Sequence, residues 1–354
     1  MDRRDVLAAR LATQRLTGPP ATSPEQAVGD LLCVQSQDAV LARAMIAYRT
    51  GDTVAAVDAA VSDGRLIRTH VLRPTWHYVA ASDLRWLLAL TAPRAVPAAR
   101  EHQLGIDQAL IERACEVIAE RLAGRRFAER RALGAALAEA GLVDRSSPEF
   151  GQRVGHLLGF AEYRALICSA PVASPAHHYA LLDEVVPPEP ARTPEAAVTE
   201  LVERFLTGHG PVALKDLQRW TPLTLVQIRA ALDRLGDRVV RHSVEGVELW
   251  SGPDRPQTRP RSAWLLSIFD EAFLTYRRLN FPRSAGHPAG DTVYRFAEAG
   301  GGVVICDLRD VGLWRRRVSR GKAEFALDLD PGLSRRERAA IDEAVDLLRS
   351  TIAD

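Results

Sequence analysis

The sequence predicts a mainly helical α+β chain in which helices alternate with short hairpins, and three observations carry that expectation. Apolar residues recur at helical spacing through the first third of the chain. The period then shortens to strand-like alternation at three places, Leu66–Val79, Ala165–Leu182 and Arg238–Ser251. Finally, 354 residues with 47% apolar and 26% charged side chains suffice for two or three units with cores of their own. That composition excludes a disordered, collagenous or coiled-coil chain.

Taken in order, Ser23-Pro24-Glu25-Gln26 is a capping box with proline at the first helical position. The stripe Val28, Leu31 and Leu32 behind it predicts a helix ending at Val34 or Gln35. A second helix is expected from about Asp38, carrying Leu41, Ala44, Met45 and Tyr48, and a third over roughly 52–62. The hairpin LIRTHVLRPTWHYV follows, and Ser82-Asp83 then opens a helix with Leu84, Leu87 and Leu88. Helices near 106–122, 127–140 and 147–161 lead into the second hairpin. Those near 194–207, 213–220 and 223–235 lead into the third, where Glu245-Gly246 marks the turn. Three helices and then a hairpin is the winged-helix order, a helix-turn-helix variant. The three copies share element order and negligible sequence identity.

Two proline-rich stretches, Val186–Pro190 and Gly252–Pro260, read as linkers. Beyond them Val303–Leu308, Val311–Val318 and Ala323–Leu329 read as a β-meander with turns at Arg309-Asp310 and Ser319–Gly321. The Ser334…Glu337 capping box opens a last helix with Ile341, Val345, Leu348 and Ile352. The expected organisation is three tandem winged-helix units, 1–98, 99–186 and 187–255, followed by a small C-terminal meander plus helix, 256–354.

Charge narrows the partners. With 46 basic and 45 acidic residues the net charge is +1, which excludes a highly basic nucleic-acid-binding tail but not a local basic surface. All but Lys215 and Lys322 of the basic residues are arginines, as a GC-rich genome or a selection for phosphate-binding forks would each produce. No 18-residue apolar run exists, and the charged N-terminus lacks the apolar core of a secretory signal. Cys33, Cys115, Cys168 and Cys306 lie far apart with no CxxC pair, as expected of a reducing cytoplasm.

Conventional catalytic signatures are missing: no GxSxG, GxxxxGK[ST], HExxH or GxGxxG occurs. Gly300–Gly302 reads as a turn. His177-His178 is a poor metal pair, because neighbours on a strand point to opposite faces; neither metal nor cofactor is expected. The segment that stands out is Val34-Gln35-Ser36-Gln37-Asp38, polar between two apolar-striped helices. In a straight helix Gln35 and Gln37 would point about 200° apart, whereas a turn at Ser36 would let both amides face one space. Alternatively, Gln37 or Asp38 simply caps the next helix. In the first hairpin, no acidic residue occurs from Gly64 through Ser82, while Arg65, Arg68, His70, Arg73 and His77 do. These are candidate phosphate contacts, or a solvated hairpin with Trp76 and His77 in the core. The clusters Arg125/Arg126/Arg130/Arg131 and Arg315/Arg316/Arg317/Arg320 are weaker candidates for the same role.

The segment LLCVQSQDAVLARAMIAYRT, followed by RLIRTHVLRPTWHYVAASDLRWLLALTAPR and later by YALLDE and FDEAFLTYR, resembles the bacterial winged-helix DNA glycosylase family of AlkZ/YcaQ type. The resemblance covers nearly the whole chain. It implies tandem winged helices on double-stranded DNA and excision of N-alkylated purines, with unhooking of interstrand crosslinks in part of the family. The family motif, glutamine, an aliphatic residue, then glutamine or aspartate, maps onto Gln35 and Gln37 as catalytic residues. Ser36 departs from the aliphatic middle position, and Asp38 could lend support as base or negative charge. The expectation is therefore a monofunctional cytoplasmic glycosylase acting on alkylated or crosslinked DNA, without cofactor, membrane or obligate protein partner. The alternative is a non-catalytic winged-helix DNA-binding protein or regulator.

Overall fold

The computed structural model describes residues 1–73, 75–95, 104–172, 176–253, 262–288, 300–319 and 322–352. Most of the linker Gly252–Pro260, and Arg320 and Gly321 of the expected last turn, lie outside these residues. The chain divides into two compact units. One comprises Met1–Val57, Val198–Trp220 and Thr224–Asp354, the other Asp58–Ala197 and Thr221–Leu223.

In the first unit, helix Arg3–Thr13 is closed by an Asp2/Asp5 capping box. Ser23 Oγ caps helix Pro24–Asp30 by accepting from the Gln26 amide, 3.2 Å. That helix stops at Asp30, four residues short of Val34. Gly29 weakens its last turn, and Leu32 takes a positive φ of 66° as the chain turns out. Val34–Gln35 is extended, so Gln35 does not continue the Val28 face. Asp38 then starts helix Ala39–Thr50, its Oδ1 accepting from the amides of Val40 and Leu41 at 3.0 Å each. Later come helices Pro194–His209, Leu214–Trp220 and Leu225–Leu235, and the hairpin Val240–Val244/Val247–Ser251. The hairpin turns at Glu245-Gly246, both at positive φ, as a tight two-residue loop requires.

The C-terminal sheet of this unit has four antiparallel strands in the order Lys322–Leu329, Arg309–Ser319, Gly301–Cys306, Ala263–Ser267. The expected meander thus gains Ala263–Ser267, whose five positions are all buried. A strand with both faces covered shows no alternation for the eye to find. The turn falls at Asp307-Leu308, both at positive φ, two residues before the expected Arg309-Asp310. Helix Arg335–Ile352 lays Ile341, Ala344 and Leu348 on this sheet, beside Leu41, Met45 and Trp264 in one core.

The second unit carries the hairpin Leu66–His70/Trp76–Ala80, registered His70 to Trp76 and Arg68 to Tyr78. Helix Ala81–Ala95 follows, then helices Gln108–Leu122, Arg130–Glu139 and Phe150–Tyr163. A small sheet places His178–Leu181 between Ala128–Glu129 and Ile167–Ser169. Its core gathers Ile111, Ile118, Leu133, Leu157, Ile167 and Tyr179. No helix among the described residues is long and apolar enough to cross a membrane.

Inside the first unit Arg49 and Asp270 form a doubly bonded ion pair, 2.8 and 3.0 Å, with side chains 1% and 0% exposed. Gln14 Oε1 accepts a further Arg49 N–H at 2.9 Å. Truncating one partner leaves the other charged and dry. Arg49→Ala should therefore lower stability by about 3–5 kcal/mol, read as a lower urea midpoint at unchanged denaturant slope.

Candidate active site

The motif residues lie outside any helix, between Leu31 and the Asp38 cap. The 200° divergence of a straight helix therefore does not apply. The chain turns at Leu31-Leu32 and bends again at Gln37-Asp38, directly after Ser36, which is itself fully buried. Gln35 is 9% exposed and Gln37 exposed. The small hydroxyl side chain therefore fills the buried middle position, where the family pattern has an aliphatic one.

What holds this segment is a carboxylate the sequence reading did not single out. Glu271 is fully buried, and its Oε1 accepts the backbone N–H of Gln35 at 3.3 Å. Its Oε2 accepts from Trp220 Nε1 and Thr275 Oγ1, 2.8 Å each. His209, stacked on Phe205 at 4.2 Å, brings Nε2 to 3.7 Å from the same oxygen. A buried charge is tolerated because donors surround it. The signal available in the sequence was an Asp-Glu pair inside the apolar run Ala263–Tyr276. Such a pair is either a surface turn or a buried hub, and only packing decides which.

The glycine run acts by close approach. A Cβ on Gly302 would sit 1.9 Å from Leu266 O, and one on Gly300, at φ +69°, would sit 3.5 Å from Asp38 Oδ2. Gly301 pairs with Arg315, and the Arg316 amide donates to Gly300 O at 3.1 Å. The arginine-bearing strand thus reaches the loop that Asp38 closes. Arg317 on that strand is exposed.

In the second unit Arg68 lies over the Trp76 ring at 4.3 Å, and His70 packs on the same ring at 4.3 Å. The two do share a face. Arg65 is half-buried and pairs with Asp63 at 3.0 Å, and Arg73 is half-buried as well. His77 has no exposed surface, which corrects its expected place among outward-facing phosphate contacts: it sits on the inner side of the hairpin. His70 Nδ1 is 2.6 Å from the buried Glu162. His177 and His178 diverge as expected. The first packs on Trp76 and Tyr179, and burial plus the charge of Arg68 pushes it down to about 3; the second binds Ala176 O. Among the described residues one trio of metal-donor atoms lies together, Cys306, Asp307 and Glu337. Glu337 there already accepts from Ser334 and Arg309, and burial pushes the Cys306 thiol up to about 11. The trio is thus poorly suited to a cation.

A family of AlkZ-like DNA glycosylases matches residues 28–350. This chain belongs to the AlkZ-like DNA glycosylases. It is an enzyme of base excision, and DNA is its substrate. Among solved structures the Streptomyces sahachiroi DNA glycosylase AlkZ superposes with a TM-score of 0.75 at 20% identity, over 99% of this chain and 96% of that one. At that identity the likeness concerns the fold. No curated protein matches in sequence.

If Glu271 anchors the motif strand, removing its carboxylate strands an indole N–H, a hydroxyl and the Gln35 amide in a dry place. Glu271→Ala should cost about 3–5 kcal/mol in urea unfolding and abolish hydrogen-exchange protection at the Gln35 amide. Glu271→Gln, which keeps an acceptor, should lose less on both measures.

Proposed function

We propose that this glycosylase excises purines made cationic by N-alkylation, including purines crosslinked between strands, with Gln35 and Gln37 positioning the attacking water. The observation that carries the reading is the Gln35-Ser36-Gln37 segment, held out of helical geometry by a buried Glu271 below and by the Asp38 cap behind. An N7-alkylated purine already bears positive charge, so its departure needs no general acid. The C1′–N9 bond breaks, its electron pair neutralises the ring, water oxygen bonds C1′, and the water's proton passes to solvent. The difficulty is an oxocarbenium-like sugar that needs a water on its far face. Two neutral amides can hold that water, and their carbonyl dipoles favour developing positive charge. A crosslinked purine cannot rotate fully out of the stack, so an open site suits it better than a closed base-flipping pocket.

The element order supports tandem winged helices. The series 24–80 and 108–181 each run helix, short strand, helix, helix, hairpin, and the series 194–251 runs through three helices into a hairpin, with boundaries proposed at 98, 186 and 255. For DNA contact we propose Arg65, Arg68, Arg73 and His70 on the hairpin of the second unit. The three arginines would act on the phosphate backbone and not on base identity. Asp38 is proposed as a cap, since its Oδ1 already accepts two amides.

Gln35→Ala and Gln37→Ala should each lower single-turnover release of N7-methylguanine by about 100-fold while duplex binding persists. Base release at the wild-type rate from both variants would sink the assignment. Asp38→Asn, which preserves the cap, should leave release close to wild type. Asp38→Ala should cost about 1 kcal/mol of stability. A collapse of release in Asp38→Asn with stability intact would instead make Asp38 the base.

A further inference from the structure

The second unit contains a cavity of about 270 Å³ lined by His70, Trp76, Tyr163, Tyr179, Gln152 and Glu162 among others. Three features distinguish it from a packing defect. Its walls are aromatic: His70 and Trp76 lie 4.3 Å apart, and His70 and Tyr163 5.9 Å apart. At its base Glu162, fully buried, accepts from Thr69 Oγ1 at 3.0 Å and holds His70 Nδ1 at 2.6 Å. A carboxylate on Nδ1 fixes the tautomer and orientation of the ring, leaving Nε2 as the nitrogen available to a ligand. Third, one face of helix Phe150–Tyr163 lines the space with Gln152, Gly155, His156 and Gly159. Glycine inside a helix costs stability. At Gly159 no atom lies within 4 Å of a built Cβ, so no neighbour demands glycine there. Its bare backbone keeps the slot open.

We propose that this cavity binds a single unstacked nucleobase. The size admits one ring system and falls below that of most cofactor pockets. Aromatic walls favour a planar ligand, and His70 Nε2 with the Gln152 amide matches the donor and acceptor edge of a base. The base would arrive free or on a single strand. The inference does not rest on the excision chemistry proposed above, and base binding is read separately from base release.

The test is ¹⁹F NMR of the full chain labelled with 5-fluorotryptophan, the Trp76 resonance assigned from Trp76→Phe. The probes are free adenine, a five-nucleotide single strand, and ribose 5-phosphate, which carries the anion without a base. A saturable shift at Trp76 with either base-bearing probe, absent with ribose 5-phosphate, is expected. Gly159→Leu should fill the slot and weaken that binding more than tenfold, with thermal unfolding checked alongside. His70→Asn, which keeps a donor for Glu162 but lacks Nε2, should weaken it about tenfold. Three results would overturn the proposal: no shift with either base, a shift with ribose 5-phosphate alone, or a response unchanged in a folded Gly159→Leu.

Discussion

Two adjacent carboxylates taken out of water organise the first unit. Asp270 and Glu271 start the short helix Glu271–Leu274 and are 1% and 0% exposed. Each must find cationic or hydrogen-bonding partners at fixed distances. Asp270 finds Arg49 on helix Ala39–Thr50 and caps Ala272. Glu271 finds Trp220, Thr275 and the Gln35 amide. Helix Ala39–Thr50, the motif strand at Gln35, the third helical series and the end of strand Ala263–Ser267 are therefore tied through two consecutive residues. A side chain that must be aimed at a reacting centre is best supported from rigid elements. The motif loop has that support on both flanks.

Close backbone approach supplies the second constraint. Gly302 lies against Leu266 O, and Gly208 approaches Asp30 O so closely that a Cβ would fall 2.1 Å from it. Gly208 lets helix Pro194–His209 lie against the end of helix Pro24–Asp30, where Arg204 Nη2 also donates to Gly29 O at 2.6 Å. That contact fixes the point at which the chain leaves the helix. With the exit fixed at Asp30 and the cap fixed at Asp38, seven residues remain to span the gap. Gln35 and Gln37 fall within them.

Much of this was legible beforehand, for identifiable reasons. The side-chain caps Ser23 and Asp38 and the capping box at Ser334 act within one turn of helix, so their residues declare themselves locally. The three hairpins showed through β-branched and aromatic runs closed by turn residues. Three things were not legible. The early end of helix Pro24–Asp30 was hidden because Leu31 and Leu32 continue the apolar stripe; they are buried after the turn as well as they would be within the helix. Strand Ala263–Ser267 and the hub at Glu271 were hidden because burial on every side erases periodicity. A carboxylate's partners, moreover, come from residues more than fifty positions away, such as Trp220. Long-range pairing leaves no local signature.

The proposed chemistry also accounts for the lack of a familiar catalytic signature. Nucleophile–base pairs exist to create charge where the substrate has none. The cationic leaving group proposed above would reverse that need: the substrate would bring the charge, and the protein would have to provide a placed water and a field that does not oppose a positive sugar. In the proposed mechanism the neutral amides of Gln35 and Gln37 would meet that need, while Asp38 is committed to two backbone amides and Glu271 to three donors.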